Sequence, residues 1–124
     1  MAVQETRIAL RNVGKIDPRS IDDYIATGGY EALKKARQMD QDQLIDEIEN
    51  ASRLRGRGGA GFNTGFKWSG AKASDGDKKY IVCNGDEGEP GTFKDRVIIE
   101  NDPHTVIEGM LIAAYAVGAD EAII

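Results

Sequence analysis

The strongest constraint on the fold is a strand–helix–strand pattern in the C-terminal part of the chain. Residues 79–83 (KYIVC) form an apolar run of strand length, and residues 121–124 (EAII) resemble the start of a second, buried strand. Between them, apolar residues repeat at helical spacing from Pro103, which suits a first helical turn, to Gly118. A helix that joins two strands makes a parallel crossover, and two strands alone are not a stable sheet. We therefore expect an α/β fold that is truncated inside its parallel sheet.

The N-terminal segment, residues 1–52, is predicted to be a small helical layer that precedes this domain, residues 53–124. Ser20 is a suitable N-cap, and Leu44, Ile45 and Ile48 are spaced to line one helical face. The predicted elements are a short edge strand or extended arm over residues 7–12, helices over residues 21–26, 30–38 and 41–52, and a further short helix over residues 94–101.

A glycine-rich stretch, residues 53–68 (RLRGRGGAGFNTGFKW), carries four cations and no acidic residue. Glycines allow close backbone approach to a ligand, and the cations attract phosphate. Its G-x-G-x-x-G pattern lacks the dinucleotide-binding context, because a helix precedes it and residues 62–65 do not open a convincing helix. A P-loop is excluded because Trp68 follows Lys67. The long irregular connection expected up to residue 79 favours a binding loop, although composition alone leaves a flexible connector equally open.

An acidic stretch, residues 84–96 (NGDEGEPGTFKDR), follows the first predicted strand. A calcium loop is disfavoured because Glu89 stands where such a loop needs glycine. A solvated acidic turn remains open, but ligands of α/β sheets bind at the carboxyl ends of strands. Carboxylates there can accept hydrogen bonds from hydroxyl groups. The phosphate-attracting loop and this acidic loop together predict a site for a nucleotide-type cofactor.

Composition restricts the class of protein further. The 124 residues suffice for one modest domain, and the net charge of −5 disfavours sequence-blind nucleic-acid binding. We expect no signal peptide and no direct membrane insertion, because no run approaches eighteen apolar residues. Cys83 is the single cysteine, so neither an internal disulfide nor a thiolate metal site is expected. A cytoplasmic location is the default.

Three stretches together carry a family resemblance: RGRGGAGFNTGFKW, NGDEGEPGTFKDR and DPHTVIEGMLIAAYA. They resemble the flavin- and NADH-binding subunit of respiratory complex I and its relatives. These relatives include the diaphorase subunits of NAD(P)-linked iron hydrogenases and of NAD-dependent formate dehydrogenases. The upstream stretch RNVGKIDPRSIDDYIATGGYEALKKA is more similar to the hydrogenase and formate dehydrogenase branch.

The resemblance implies an FMN-dependent NAD(P)H oxidoreductase subunit. Hydride passes from NAD(P)H to FMN, and electrons leave to iron–sulfur clusters in partner subunits, so no side chain needs to be an acid or base catalyst. It implies that the flavin lies against Gly56, Arg57, Gly58, Gly59, Gly61 and Lys67. It further implies that Asn84, Asp86 and Glu87 complete the flavin site and that Glu89 and Phe62 contact NADH. A further iron–sulfur cluster is expected in a C-terminal part that this chain lacks, and the complex can lie on the cytoplasmic side of a membrane.

Two departures from the family pattern bear on this expectation. Asn63 stands where many relatives have proline, and Gly70 stands where complex I subunits often have an aromatic residue beside adenine. NADH or NADPH preference therefore stays open, and the isolated fragment is expected to be inactive. The alternative is a non-catalytic module whose glycine-rich and acidic loops bind a partner subunit.

Overall fold

A computed structural model describes residues 4–124, so the first three residues of the predicted N-terminal segment lie outside the described part. The N-terminal elements are α1 (Ile21–Ala26), α2 (Glu31–Ala36) and α3 (Gln41–Asp46), which continues as a π-helix, π1 (Glu47–Ala51). The remaining elements are α4 (Thr64–Ala73), β1 (Tyr80–Val82), α5 (Lys94–Asn101), α6 (Pro103–Val117) and β2 (Glu121–Ile123).

The predicted parallel crossover is confirmed. β1 and β2 pair in parallel, with Tyr80 opposite Glu121 and Val82 opposite Ile123, and α6 packs against both strands. The expectation that the second strand is buried is wrong, because all three residues of β2 are exposed. A parallel sheet buries its strands only when both faces are covered, and this sheet has two strands within residues 4–124.

The core lies where α3 and α4 pack against α6. Its buried members are Ala36, Leu44, Ile45 and Ala116, and partly buried Met39, Trp68, Ile112 and Tyr115 surround them. The apolar spacing of α3 and α6 predicted the apolar helix faces that meet here. The N-cap of α1 is also as predicted, since the side chain of Ser20 accepts a hydrogen bond from the Asp23 amide. The helical layer and the crossover helix therefore share one core.

A buried acid on α6 holds the helical layer in place. Glu108 accepts hydrogen bonds from the Tyr24 hydroxyl at 2.5 Å, the Tyr30 amide at 2.9 Å and the Leu33 amide at 3.0 Å. Tyr30 precedes α2 in a left-handed conformation and offers no side-chain cap of its own. Glu108 thus caps the N-terminus of α2 from another helix, where a carboxylate interacts favourably with the helix dipole.

Helix α4, which the sequence does not predict, begins directly after the glycine-rich stretch. The interpretation that residues 62–65 open no helix is wrong, as is the expected irregular connection up to the first strand. The Asn63 side chain caps α4 by accepting a hydrogen bond from the Phe66 amide at 3.0 Å. Gly65 sits so close to π1 that a Cβ there would lie 2.5 Å from the Glu49 Cα. Tertiary packing therefore outweighs the low helix propensity of glycine.

The predicted edge strand or arm over residues 7–12 is also wrong. Residues 8–16 form successive turns, with backbone hydrogen bonds from Arg11 to Ile8 and from Val13 to Leu10. The amide group of buried Asn12 donates to the Asp102 carboxylate at 2.9 Å. This buried hydrogen bond anchors the segment to the start of α6, so the alternation of polar and apolar residues does not reflect a pleated strand.

Candidate functional site

The glycine-rich loop, defined here as residues 56–62, is closed at its base like a hairpin. The Gly56 amide donates to the Phe62 carbonyl at 2.8 Å, and the Thr64 amide donates to the Leu54 carbonyl at 2.9 Å. The Arg55 guanidinium crosses the loop and donates to the Gly61 carbonyl at 3.0 Å. Both ends of the loop are thus fixed to the framework, π1 before it and α4 after it.

The tip of this loop presents backbone donors to solvent. Within residues 4–124, the amides of residues 57–61 donate to no other backbone group. At Gly58 a Cβ would meet no atom within 4 Å, and its φ is not in the left-handed region. Neither packing nor backbone conformation therefore requires glycine at this position. The open space at Gly58 leaves room for the close approach of a ligand, and successive free amides are an anion-binding feature.

A cavity with a volume of about 440 Å³ opens between the loop, α4 and β1. That volume is within the usual range for small-molecule sites. It brings together three predicted site residues, Gly56, Phe62 and Lys67. The ammonium group of Lys67 lies 5.3 Å from the centre of the Phe62 ring, a cation–π distance. The other lining residues, which the sequence did not single out, are Thr64, Trp68, Ala71, Ser74, Lys79, Tyr80, Ile81 and Val117.

Two further cavities flank the same loop. One, of about 410 Å³, contains the exposed rings of Phe62 and Phe66, whose centres are 5.7 Å apart. The other, of about 400 Å³, is lined by residues 52–57 together with Gly61. The three cavities share lining residues of the loop, so the loop is accessible from several sides.

The acidic loop, residues 84–91, lies after β1 as predicted. Its carboxylates differ in their contacts. Glu87 accepts hydrogen bonds from the amides of Asp95 at 2.8 Å and Arg96 at 3.2 Å, which makes it the cap of α5. Asn84 accepts from the Asp86 amide at 3.0 Å in a tight turn. Glu89 is exposed, and its side chain forms no ion pair within the described residues. Glu87 therefore orders the loop, whereas Asp86 and Glu89 remain available.

The structure does not join the two predicted halves into one cavity. In the part of the chain that it describes, Asp86, Glu87 and Glu89 line none of the cavities around the glycine-rich loop. Asn84 lines a separate small cavity of about 110 Å³ with Cys83 and Gly85. Gly56, Gly61, Phe62 and Lys67 line the loop cavities, and Arg57 lines the cavity formed by residues 52–57 together with Gly56 and Gly61. Gly58 and Gly59 form the loop tip.

Two buried groups with shifted pKa values, Tyr24 and Glu108, lie outside this site, and sequence reasoning missed both. Burial, followed by the hydrogen bond to Glu108, raises the pKa of Tyr24 to about 12. Burial also acts to raise the pKa of Glu108, but the hydrogen bonds from Tyr24, Tyr30 and Leu33 outweigh it and hold that pKa below its ordinary value. Nothing in the sequence marks these pairs, because 78 residues separate Tyr30 from Glu108.

Comparison with known proteins places this geometry in a family. Residues 49–124 match the family model described as the Nuo51 FMN-binding domain. That match includes the last three residues of π1, the glycine-rich loop, the acidic loop and the whole crossover. Within residues 4–124, no helix has both the length and the apolar character needed to cross a bilayer.

Similar curated proteins belong to two kinds of complex. The chain is 53% identical to the NADP-reducing hydrogenase subunit HndC of Solidesulfovibrio fructosivorans, over 94% of this chain and 23% of that protein. It is 54% identical to an NADH-quinone oxidoreductase subunit of Aquifex aeolicus, over 93% of this chain and 26% of that protein. The NADH-quinone oxidoreductase subunit of the same name in Escherichia coli is 45% identical over 82% of this chain and 23% of its own length. The chain thus spans about a quarter of the length of these relatives.

A solved structure supports the same assignment. The crystal structure of an NAD+-reducing NiFe hydrogenase in its H2-reduced state has a TM-score of 0.67 and 41% sequence identity, and covers 81% of this chain and 18% of that chain. The agreement in fold confirms the expected α/β arrangement. From its sequence match, its fold and its glycine-rich loop, the chain belongs to the Nuo51 FMN-binding domain family.

Proposed function

We propose that residues 53–124 supply the first part of an FMN site in a subunit that oxidises NAD(P)H, with residues 1–52 as a supporting helical segment. The observation that carries this proposal is the glycine-rich loop with its free amides at residues 57–61, its open Gly58 and the adjoining cavity of about 440 Å³. These features fit a flat, phosphate-bearing ligand. When bound, FMN would accept hydride from the nicotinamide and release electrons singly.

The residues around the loop have distinct proposed roles. The amides near Gly58 and Gly59 and the Lys67 ammonium would bind the flavin, and Lys67 would counter its negative charge. The Phe62 ring, half-exposed between two cavities, would stack on the nicotinamide nucleotide. The family name supports the cofactor, and the cavity geometry supports the choice of residues.

The acidic loop would act from the second side of the site. Asn84 and Asp86 would accept hydrogen bonds from the flavin, and exposed Glu89 would accept them from hydroxyl groups of the nicotinamide nucleotide. Glu87 would contribute by fixing the loop on α5, since the two amides of α5 already occupy its carboxylate. Residues beyond this quarter-length chain would complete the site.

We further propose that the complete polypeptide works with iron–sulfur subunits of a hydrogenase, formate dehydrogenase or quinone-reducing complex, and carries an iron–sulfur cluster in its C-terminal part. The names of the similar proteins support the hydrogenase and quinone-reducing complexes. Identification of the electron acceptor would show to which of these complexes the polypeptide belongs.

Anaerobic addition of NADH to the purified full-length gene product tests the function. We expect bound flavin, and we expect its absorbance to bleach when NADH is added. Glu89→Gln should raise the NADH concentration needed for half-bleaching about tenfold and leave the flavin content unchanged. Asp22→Asn, which changes an exposed acid on α1, is the matched control. A colourless protein that FMN cannot reconstitute would favour a non-catalytic interaction module instead.

A further inference from the structure

Arg53 has a backbone conformation that arginine adopts rarely. It directly follows the helical end at Ser52 and has a φ of 53°, whereas the described residues contain one other non-glycine residue with positive φ, Tyr30. Helices commonly end on a left-handed residue, and that residue is usually glycine because a Cβ is strained there. Glycine would therefore suit this position better than arginine. Strained residues of this kind cluster at ligand-binding sites.

The strained residue is one of three arginines that line the same cavity. Arg53, Arg55 and Arg57 line the cavity of about 400 Å³ together with Gly56 and Gly61. All three arginines are exposed, and none forms an ion pair with an acid within residues 4–124. In an acidic chain of net charge −5, such a cluster without paired acids attracts strongly negative groups.

We propose that Arg53, Arg55 and Arg57 bind the 2′-phosphate that distinguishes NADPH from NADH. This inference rests on the proposed function and adds the choice of nucleotide. A phosphate monoester carries close to two negative charges at neutral pH, and the planar guanidinium fork matches its oxygens. Arginines beside the ribose are a general means of accepting a 2′-phosphate.

The position of the cavity fits this phosphate better than the pyrophosphate common to both nucleotides. The arginine cavity shares Arg55 and Gly61 with the cavity that holds the Phe62 and Phe66 rings. A base stacked on those rings would have its ribose beside the arginines. The pyrophosphate carries one charge on each phosphate, so it calls for fewer guanidinium groups than the 2′-phosphate with its nearly two charges.

Binding of two adenosine nucleotides to the full-length gene product tests the proposal without any need for turnover. Adenosine 2′,5′-bisphosphate and 5′-AMP differ only by the 2′-phosphate. We expect calorimetry to show that the bisphosphate binds at least about tenfold more tightly. Arg53→Gly should remove most of this difference, Arg53→Lys should retain part of it, and 5′-AMP should bind all three proteins alike.

Misfolding would not explain a loss of the preference for the bisphosphate in Arg53→Gly. Glycine relieves the strained φ at this position, so the variant should not have a lower melting temperature than the parent. Equal affinity of the parent protein for the two nucleotides would overturn the proposal, as would an equal loss for both in the variant. Retention of FMN and bleaching by NADH, together with equal nucleotide affinities, would overturn this inference alone. Absence of FMN binding with a preserved bisphosphate preference would instead count against the proposed function.

Discussion

Glu87 offers a sharp test of how the acidic loop works, because its observed contacts differ from a direct role at the flavin. Its carboxylate accepts from the amides of Asp95 and Arg96, and α5 has no other side-chain cap, since Phe93 at the N-cap position provides none. Replacement of Glu87 by alanine would leave these two amides without a protein partner. We therefore expect local destabilisation of α5.

The magnitude follows from the two interactions that are lost. Removal of a side-chain helix cap costs about 1 kcal/mol and up to about 2. Loss of a negative charge at a helix N-terminus adds about 0.3–1 kcal/mol. Glu87→Ala should thus destabilise α5 by about 1.5–3 kcal/mol. Glu87→Gln, which keeps an acceptor oxygen, should cost about 1 kcal/mol or less.

Hydrogen exchange of the α5 amides in the full-length protein measures this local effect. Exchange reports local opening, so Glu87→Ala should accelerate it roughly ten- to hundredfold, with Glu87→Gln in between. Glu89→Ala is the matched control, because this neighbouring exposed acid caps no helix and should leave α5 exchange unchanged. Unchanged exchange in Glu87→Ala together with weaker FMN binding would refute the capping role and indicate direct contact with the flavin.

Two further changes test the packing and the acid response. Gly65→Ala should destabilise the protein by about 1–3 kcal/mol in urea titration, because the new Cβ would overlap the Glu49 backbone. In Gly70→Ala, on the same helix, the new Cβ meets no atom, so this change should be neutral or stabilising by up to about 1 kcal/mol. Equal effects of the two changes on stability would contradict the close approach of α4 and π1. The pKa of Glu108 is depressed, so its contribution to stability is present above its ordinary value of 4.5 and is lost as the pH falls through the lower, folded-state pKa. Glu108→Gln should therefore lose less stability than the parent between about pH 5 and pH 3, as denaturation at a series of pH values would show, and identical acid dependence would contradict the charged role of Glu108.

Local sequence signals predicted much of the fold. The helices that begin at Ile21 and Pro103 have a cap and a proline in their first turns, and their apolar periodicity is regular. The strands beside α6 were found from short apolar runs, and their parallel pairing followed from the helix between them. These elements depend on residues close in the chain, which a single sequence displays directly.

Contacts between distant residues explain what the sequence did not reveal. The start of α4 contains Thr64 and Gly65, which are weak helix formers, and the helix is stabilised by packing against Glu49. Glu108 caps α2 from far along the chain, so no local motif records it. At the candidate site, the sequence identified the glycine-rich and acidic loops. It did not show that the Glu87 carboxylate accepts hydrogen bonds from α5, or that Arg53 has a left-handed backbone conformation.

The central claim is that the glycine-rich loop and its cavity bind FMN, and an FMN titration of the full-length gene product tests it most directly. Quenching of FMN fluorescence should saturate at one flavin per protein. Lys67→Ala should weaken binding about tenfold, as expected for loss of one charge-assisted contact. Lys34→Ala, which removes an exposed lysine from α2, should bind as the parent does. Absence of saturable quenching, or equal affinity in Lys67→Ala and the parent, would contradict the assignment of this cavity to the flavin.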